Sequence, residues 1–165
     1  MKKIQVAVLM GSDSDYPVMK KTEETLSQFG IHYATRILSA HRTPVQTVGF
    51  IKEAEKNGVK VFIAGAGGAA HLPGIVAAHT ILPVIGIPIL SKATSGLDSL
   101  LSIVQMPSGV PVATVGIDGA KNAALLAIQI LAASDSILTK KYRLYKKRME
   151  KEVLEKNRKL QEEKK

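Results

Sequence analysis

Residues 4–15 read IQVAVLMGSDSD, an apolar run broken only by Gln5 that meets Gly11 and turns at once polar. Ile4 to Met10 lacks the alternation of a half-exposed strand, so it reads as a strand buried on both faces, and GSDSD as the connection leaving it. Working outward, Tyr16 to Phe29 has helical character, with Pro17 tolerated in the first turn and Gly30 placed as a stop. Ile31 to Leu38 is a second strand, followed by SAHRTP, where Thr43 can cap and Pro44 can open a helix that ends near Gly58. Val59 to Ala64 is a third strand, GAGGAAHLPG follows, and an apolar helix covers Ile75 to Thr80. Leu82 to Ile89 and Val110 to Val115 are further strands, Asp98 to Gln105 a short helix and Ala120 to Ala133 a long apolar one. This alternation predicts an α/β fold, a mostly parallel sheet with helices on both faces. Right-handed crossovers then bring every strand's carboxyl end to one edge, where GSDSD, SAHRTP and GAGGAAH should meet.

The chain has 165 residues, of which 45% are hydrophobic, 22% charged and 4% aromatic, so it can bury a substantial core without a disulfide or structural metal. It has no cysteine, which excludes thiolate zinc sites, iron–sulfur ligation and a cysteine nucleophile. The apolar tract Ile81 to Leu90 is broken by Pro83, Gly86 and Pro88 and is too short to span a bilayer. No targeting segment is read in MKKIQVAVLMGSDSD, so a cytoplasmic, membrane-free protein is expected. The net charge of +9 is concentrated at one end. From Ser136 to Lys165 there are 12 Lys or Arg against 5 Glu, whereas the rest carries 11 against 9. The predicted organisation is therefore a domain over 1–135 and a basic helix over 136–165. Leu138, Tyr142, Tyr145, Met149 and Val153 recur at helical spacing along that segment, which favours docking on protein over binding nucleic acid. A phosphate-backbone binder acting through this tail is the competing reading, and a steep salt dependence would mark it.

Each of the three loops has a functional and an ordinary reading. In GSDSD, backbone amides with Ser12 and Ser14 can hold an anion, and a carboxylate, Asp13 or Asp15, can accept two hydrogen bonds from ribose hydroxyls; helix capping by Ser14 or Asp15 is the alternative. In SAHRTP, Arg42 offers a fork of donors suited to phosphate beside Ser39, and His41 is the best candidate for moving a proton near neutral pH. A lone histidine is usually structural, but its place beside that arginine on a ligand-facing loop favours catalysis. In Gly65 to His71, a match to the G-x-G-x-x-G/A dinucleotide fingerprint fails. It follows the third strand, and no Asp or Glu occurs from Ile75 to Leu97 to hold a ribose. The better reading is a small-residue loop, including Gly67 and Ala69, that closes over a flat ligand with His71 lending a hydrogen bond; close packing against the sheet is its alternative.

His41, His71 and His79 accompany Asp13 and Asp15 without any metal-binding spacing, so no metal is expected. There is no G-x-S-x-G elbow for a serine hydrolase. Leu72 to Leu90 holds no Asp, Glu, Lys or Arg, which predicts burial between subunits of a homo-oligomer.

Taken together, MGSDSD, SAHRTP, GAGGAAHLPG, SIVQMPSGVPVATV and KNAALLAIQIL closely resemble the class I N5-carboxyaminoimidazole ribonucleotide mutases of purine biosynthesis, in order from about Val6 to Ala133. The resemblance implies a flavodoxin-like three-layer α/β/α sandwich, a homo-octamer with active sites at subunit contacts, a small ribonucleotide substrate and no cofactor. It implies an isomerase that moves a carboxylate from the exocyclic nitrogen to a ring carbon, giving 4-carboxy-5-aminoimidazole ribonucleotide. On this chain His41 matches the general acid–base histidine, and Arg42 and Ser39 the phosphate-side contacts. Ser12, Ser14 and Asp15 match substrate contacts, with Asp15 on the ribose. Gly67 to Leu72, including Ala69, His71 and Leu72, match the loop over the base and carboxylate. Class II relatives, which carboxylate aminoimidazole ribonucleotide with free carbon dioxide, differ where this chain reads GGAAHLPG. The chain departs from the family at Asp13, a variable position, and in its longer basic extension. A class II-type carboxylase is the nearest alternative; a flavin or nucleotide-binding module without catalysis is a more distant one.

Overall fold

The computed structural model describes residues 3–164. Compact units comprise Met1–Ala127 and Ile128–Lys165. The first contains a parallel sheet of β1 (Val6–Met10), β2 (Tyr33–Ile37), β3 (Val61–Gly67), β4 (Val84–Ile89) and β5 (Ala113–Thr114), in the order β2-β1-β3-β4-β5. This is the flavodoxin-like order, with its switch between β1 and β3.

Every residue of β1 is buried, as is all of β4, because each pairs on both sides and is covered on both faces. That is why neither shows polar alternation. Ala7, Leu9, Phe62, Ala64 and Ala66 pack with Ile51 and Ala54 of α2 (Pro44–Lys56), Leu72 and Val76 of α3 (Leu72–Ala78), and Ile103 of α4 (Leu97–Val104). The alternate side chains face α1 (Tyr16–Phe29), whose Met19 sulfur lies where a Cβ on Gly65 would stand, at 2.3 Å. The hydroxyl of buried Thr22 donates to Ala120 O at the start of α5 (Ala120–Ala132).

The expected helix over residues 16–29 is found with those bounds, and Gly30 stops it at φ 77°, its amide directed to Leu26 O and Ser27 O. Other boundaries move. β3 runs on to Gly67, so part of the small-residue segment is strand, and the missing side chain at Gly65 is what lets α1 approach. α3 begins at Leu72 rather than Ile75, because Pro73 sits in its first turn, where no amide is required. β5 shrinks to two residues next to Pro111 on the sheet edge. Thr43 is at the N-cap position of α2 but makes no side-chain cap bond; its hydroxyl turns back to accept from Ser39 N at 2.9 Å and donate to Ser39 O at 3.1 Å.

In the second unit, α6 (Ser136–Glu162) is capped by Asp135, whose carboxylate accepts from the amides of Ile137 and Leu138, both at 2.9 Å. Leu138 and Tyr145 of the expected stripe are buried, Tyr142 and Met149 half-buried, and Val153 is exposed. Among the described residues no helix is long and apolar enough to cross a membrane.

Candidate active site

The loop after β1 is built by a capping box in a single 3-10 turn, Asp13–Asp15. Ser12 Oγ accepts from Ser14 N at 3.4 Å, and the Asp15 carboxylate accepts from Ser12 N at 3.2 Å. The box closes this short turn and not the helix: Asp15 stands at the N-cap position of α1 without a side-chain cap bond, its carboxylate turned back to Ser12 N. Half-burial pushes the Asp15 carboxyl up from its ordinary value, against the lowering effect of the Ser12 and Gly11 amides and the Arg42 charge.

The loop after β2 is cross-braced. The Thr43 hydroxyl holds both backbone groups of Ser39, buried Thr47 donates to Thr43 O at 2.8 Å and Ser39 O at 3.3 Å, and Ser39 Oγ accepts from Arg42 N at 3.2 Å. This brace leaves His41 and Arg42 exposed. Arg42 Nη2 donates to Gly11 O at 2.8 Å, which joins this loop to the one after β1. His41 Nε2 lies 2.8 Å from His71 Nδ1, which joins it to the loop after β3; the rings stand edge to face at 83°. One nitrogen of that pair must donate and the other accept, so the protonation of either ring constrains its partner.

Between these loops lies a cavity of about 470 Å³. Ser12, Ser14, Asp15, Ser39, His41, Arg42, Gly67, Ala69 and Leu72 all line it. His71 is the exception: it does not line the cavity and reaches it through His41. Sequence reasoning missed the fourth wall, Ile89 at the end of β4 with Leu90 and Ser91 just beyond it. The crossover rule already placed that connection at the same edge, but LSKATSG carries no residue pattern that announces chemistry. Among the described residues, no group of three or more His, Asp or Glu side chains could hold a metal ion.

A cavity at the β1/β3 switch, walled by the loops after four parallel strands, is a small-molecule site of a flavodoxin-like α/β protein. The chain belongs to the AIR carboxylase family, whose family-wide pattern matches residues 5–152. It is 59% identical to the Pyrococcus horikoshii N5-carboxyaminoimidazole ribonucleotide mutase over 95% of this chain and 89% of that protein. It is 60% identical to the Saccharolobus solfataricus protein of the same name over 91% of this chain and 95% of that one. The crystal structure of Treponema denticola PurE superposes with a TM-score of 0.88 at 36% identity, covering 94% of this chain and 98% of that chain.

Proposed function

We propose that the chain acts as an N5-carboxyaminoimidazole ribonucleotide mutase in purine biosynthesis, with His41 as the acid and base. The observation that carries this reading is the convergence of His41, Arg42, the Ser12–Asp15 turn and the Gly67–Leu72 segment on one cavity, together with identities of 59% and 60% to relatives bearing that name. Arg42 and Ser39 supply charged and hydroxyl donors for the phosphate, and Asp15 accepts from the ribose hydroxyls. The base and carboxylate then lie under Gly67 to Leu72.

A carbamate on nitrogen breaks once that nitrogen is protonated. The His41 imidazolium delivers the proton, the N–C bond's electron pair stays on nitrogen, and carbon dioxide and the aminoimidazole are released into the same cavity. The ring carbon attacks the carbon dioxide to form the new C–C bond, and the now neutral His41 takes the hydrogen that this carbon loses. Hydrogen and carboxylate have exchanged places, and His41 is restored. Confinement makes the second half effectively intramolecular.

The protein works as a homo-oligomer, an octamer by family resemblance, in the cytoplasm. The support for assembly is narrower than composition implies: within Leu72–Leu90 the chain itself buries Leu72, Pro73, Val76 and Val84–Ile89. The apolar surface left for a neighbouring copy includes Leu90, Ile81, 95% exposed at a cleft with Leu82, Pro83 and Pro111, and the open face of α4 at Leu97, Leu101 and Val104. Supplying N5-carboxyaminoimidazole ribonucleotide alone, and aminoimidazole ribonucleotide with bicarbonate separately, tests the reaction. Product from the first substrate only is expected; efficient product from the second identifies a free-carbon-dioxide carboxylase instead.

A further inference from the structure

Ser99 lies in the first turn of α4 and is fully buried, yet both roles of its hydroxyl are used at the cavity edge. Its Oγ donates to Ile89 O at 2.8 Å and accepts from Gly68 N at 2.9 Å. Ile89 is the last residue of β4, Gly68 the first beyond β3, and the two strands are in register at Gly67 and Ile89. One hydroxyl therefore ties together the ends of two central strands where both open into the cavity.

Packing does not do this work at Gly68. A Cβ built there meets nothing within 4 Å, and the residue stands at φ 63°, outside the sheet's own hydrogen bonding. The backbone at Gly68 is therefore held by the Ser99 hydroxyl, whereas Ala70 and Leu72 further on are held by their own burial in the core. The neighbouring Asp98 carboxylate extends the same cluster: it accepts from Ser99 N at 2.8 Å and from Ser91 Oγ at 2.7 Å, and Ser91 lines the cavity.

We infer that Ser99 is a positioning residue for the carboxylate transfer, holding the Gly67–Leu72 segment over the cavity so that carbon dioxide is captured by the ring before it escapes. The inference rests on the mutase reading. Ser99 does not approach the substrate; it acts through the Gly68 amide. Ser99→Ala removes the hydroxyl that Gly68 N and Ile89 O share and loosens the segment at Gly68, while Arg42, Ser39 and Asp15 are untouched. Misplacement of this kind far from the reacting atoms can cost about 100-fold, so transfer should slow by about 10- to 100-fold with little change in KM.

The test uses the full chain, substrate labelled with 13C in the carboxylate, and excess unlabelled bicarbonate. Mass spectrometry of the product reads the label retained per turnover, beside kcat, KM and Tm. The wild type should retain the label, and folded S99A should lose it several-fold more often and accumulate aminoimidazole ribonucleotide. A merely structural role lowers Tm without moving retention, so a folded S99A that retains label like the wild type overturns the inference. Should S99A not fold, Ser99→Cys, of similar shape but a weaker hydrogen-bonder, carries the same test with the same two outcomes. A wild type that leaves the labelled substrate unconverted refutes the mutase reading itself, a result separable from either.

Discussion

Replacing His41 by asparagine removes the group assigned to both proton transfers while leaving Arg42, Ser39 and the Ser12–Asp15 turn in place. A positioned acid or base contributes about 100- to 10,000-fold, equivalent to about 2.7 to 5.4 kcal/mol of barrier. Because one imidazole serves both halves of the reaction, His41→Asn should fall toward the upper end of that range in kcat. Substrate affinity should remain near that of the wild type. His71 touches the chemistry only through its 2.8 Å bond to His41. Loss of a neutral hydrogen bond is worth about 0.5 to 1.5 kcal/mol, so His71→Ala should cost about 2- to 10-fold. The two rings form one unit, which makes the double variant no slower than His41→Asn alone. Product absorbance gives kcat, and calorimetric titration of the slow variants gives affinity. A His41→Asn enzyme within about 10-fold of wild type would reject the acid–base assignment. Losses that multiply in the double variant would show His71 acting independently of His41.

Arg42→Ala should weaken substrate binding by about 10- to 150-fold, from the 1.5 to 3 kcal/mol typical of hydrogen bonds to charged groups; a pure kcat defect with unchanged affinity contradicts a phosphate contact. Asp15 has a folded pKa above its unfolded value, so its contribution to stability is complete below the unfolded pKa and is lost as pH rises through the folded one. Asp15→Asn removes that loss. Its Tm relative to wild type should improve from acid to neutral pH while KM rises; a Tm difference independent of pH, or one of opposite slope, would refute the burial argument. Gly86→Ala places a Cβ 2.4 Å from Ile103 Cγ2 and 2.9 Å from Val112 Cγ1. Overpacking should cost about 1 to 3 kcal/mol and lower Tm by about 2 to 12 °C in a calorimetric scan, whereas an unchanged Tm would mean α4 can move off the sheet freely.

The two levels of legibility in this sequence have different physical origins. The sheet was readable because strands buried on both faces must be continuously apolar, and Val6–Met10 and Val84–Ile89 are. The meeting of three loops followed from handedness alone, before any distance between His41 and His71 was known. Boundaries were misread where glycine and proline carried two meanings. Gly65–Gly67 reads as loop by composition, yet it is strand because α1 needs the empty space above Gly65 for Met19. Leu72–Gly74 reads as turn, yet Pro73 opens a helix. The deepest omission was Ser99. A serine in the first turn of an apolar helix has an ordinary local explanation, its hydroxyl being a common partner for the helix's own amides. Beside a longer 3.3 Å contact to the adjacent Asp98 carboxylate, its closest partners, Ile89 O and Gly68 N, lie 10 and 31 positions away and are both backbone atoms. Backbone groups leave no mark on side-chain identity, so no pattern in those segments could name their partner. Positioning groups that act on main-chain atoms across strand ends are invisible to motif reading for this reason, and here one holds Gly68, which has no side chain of its own to pack.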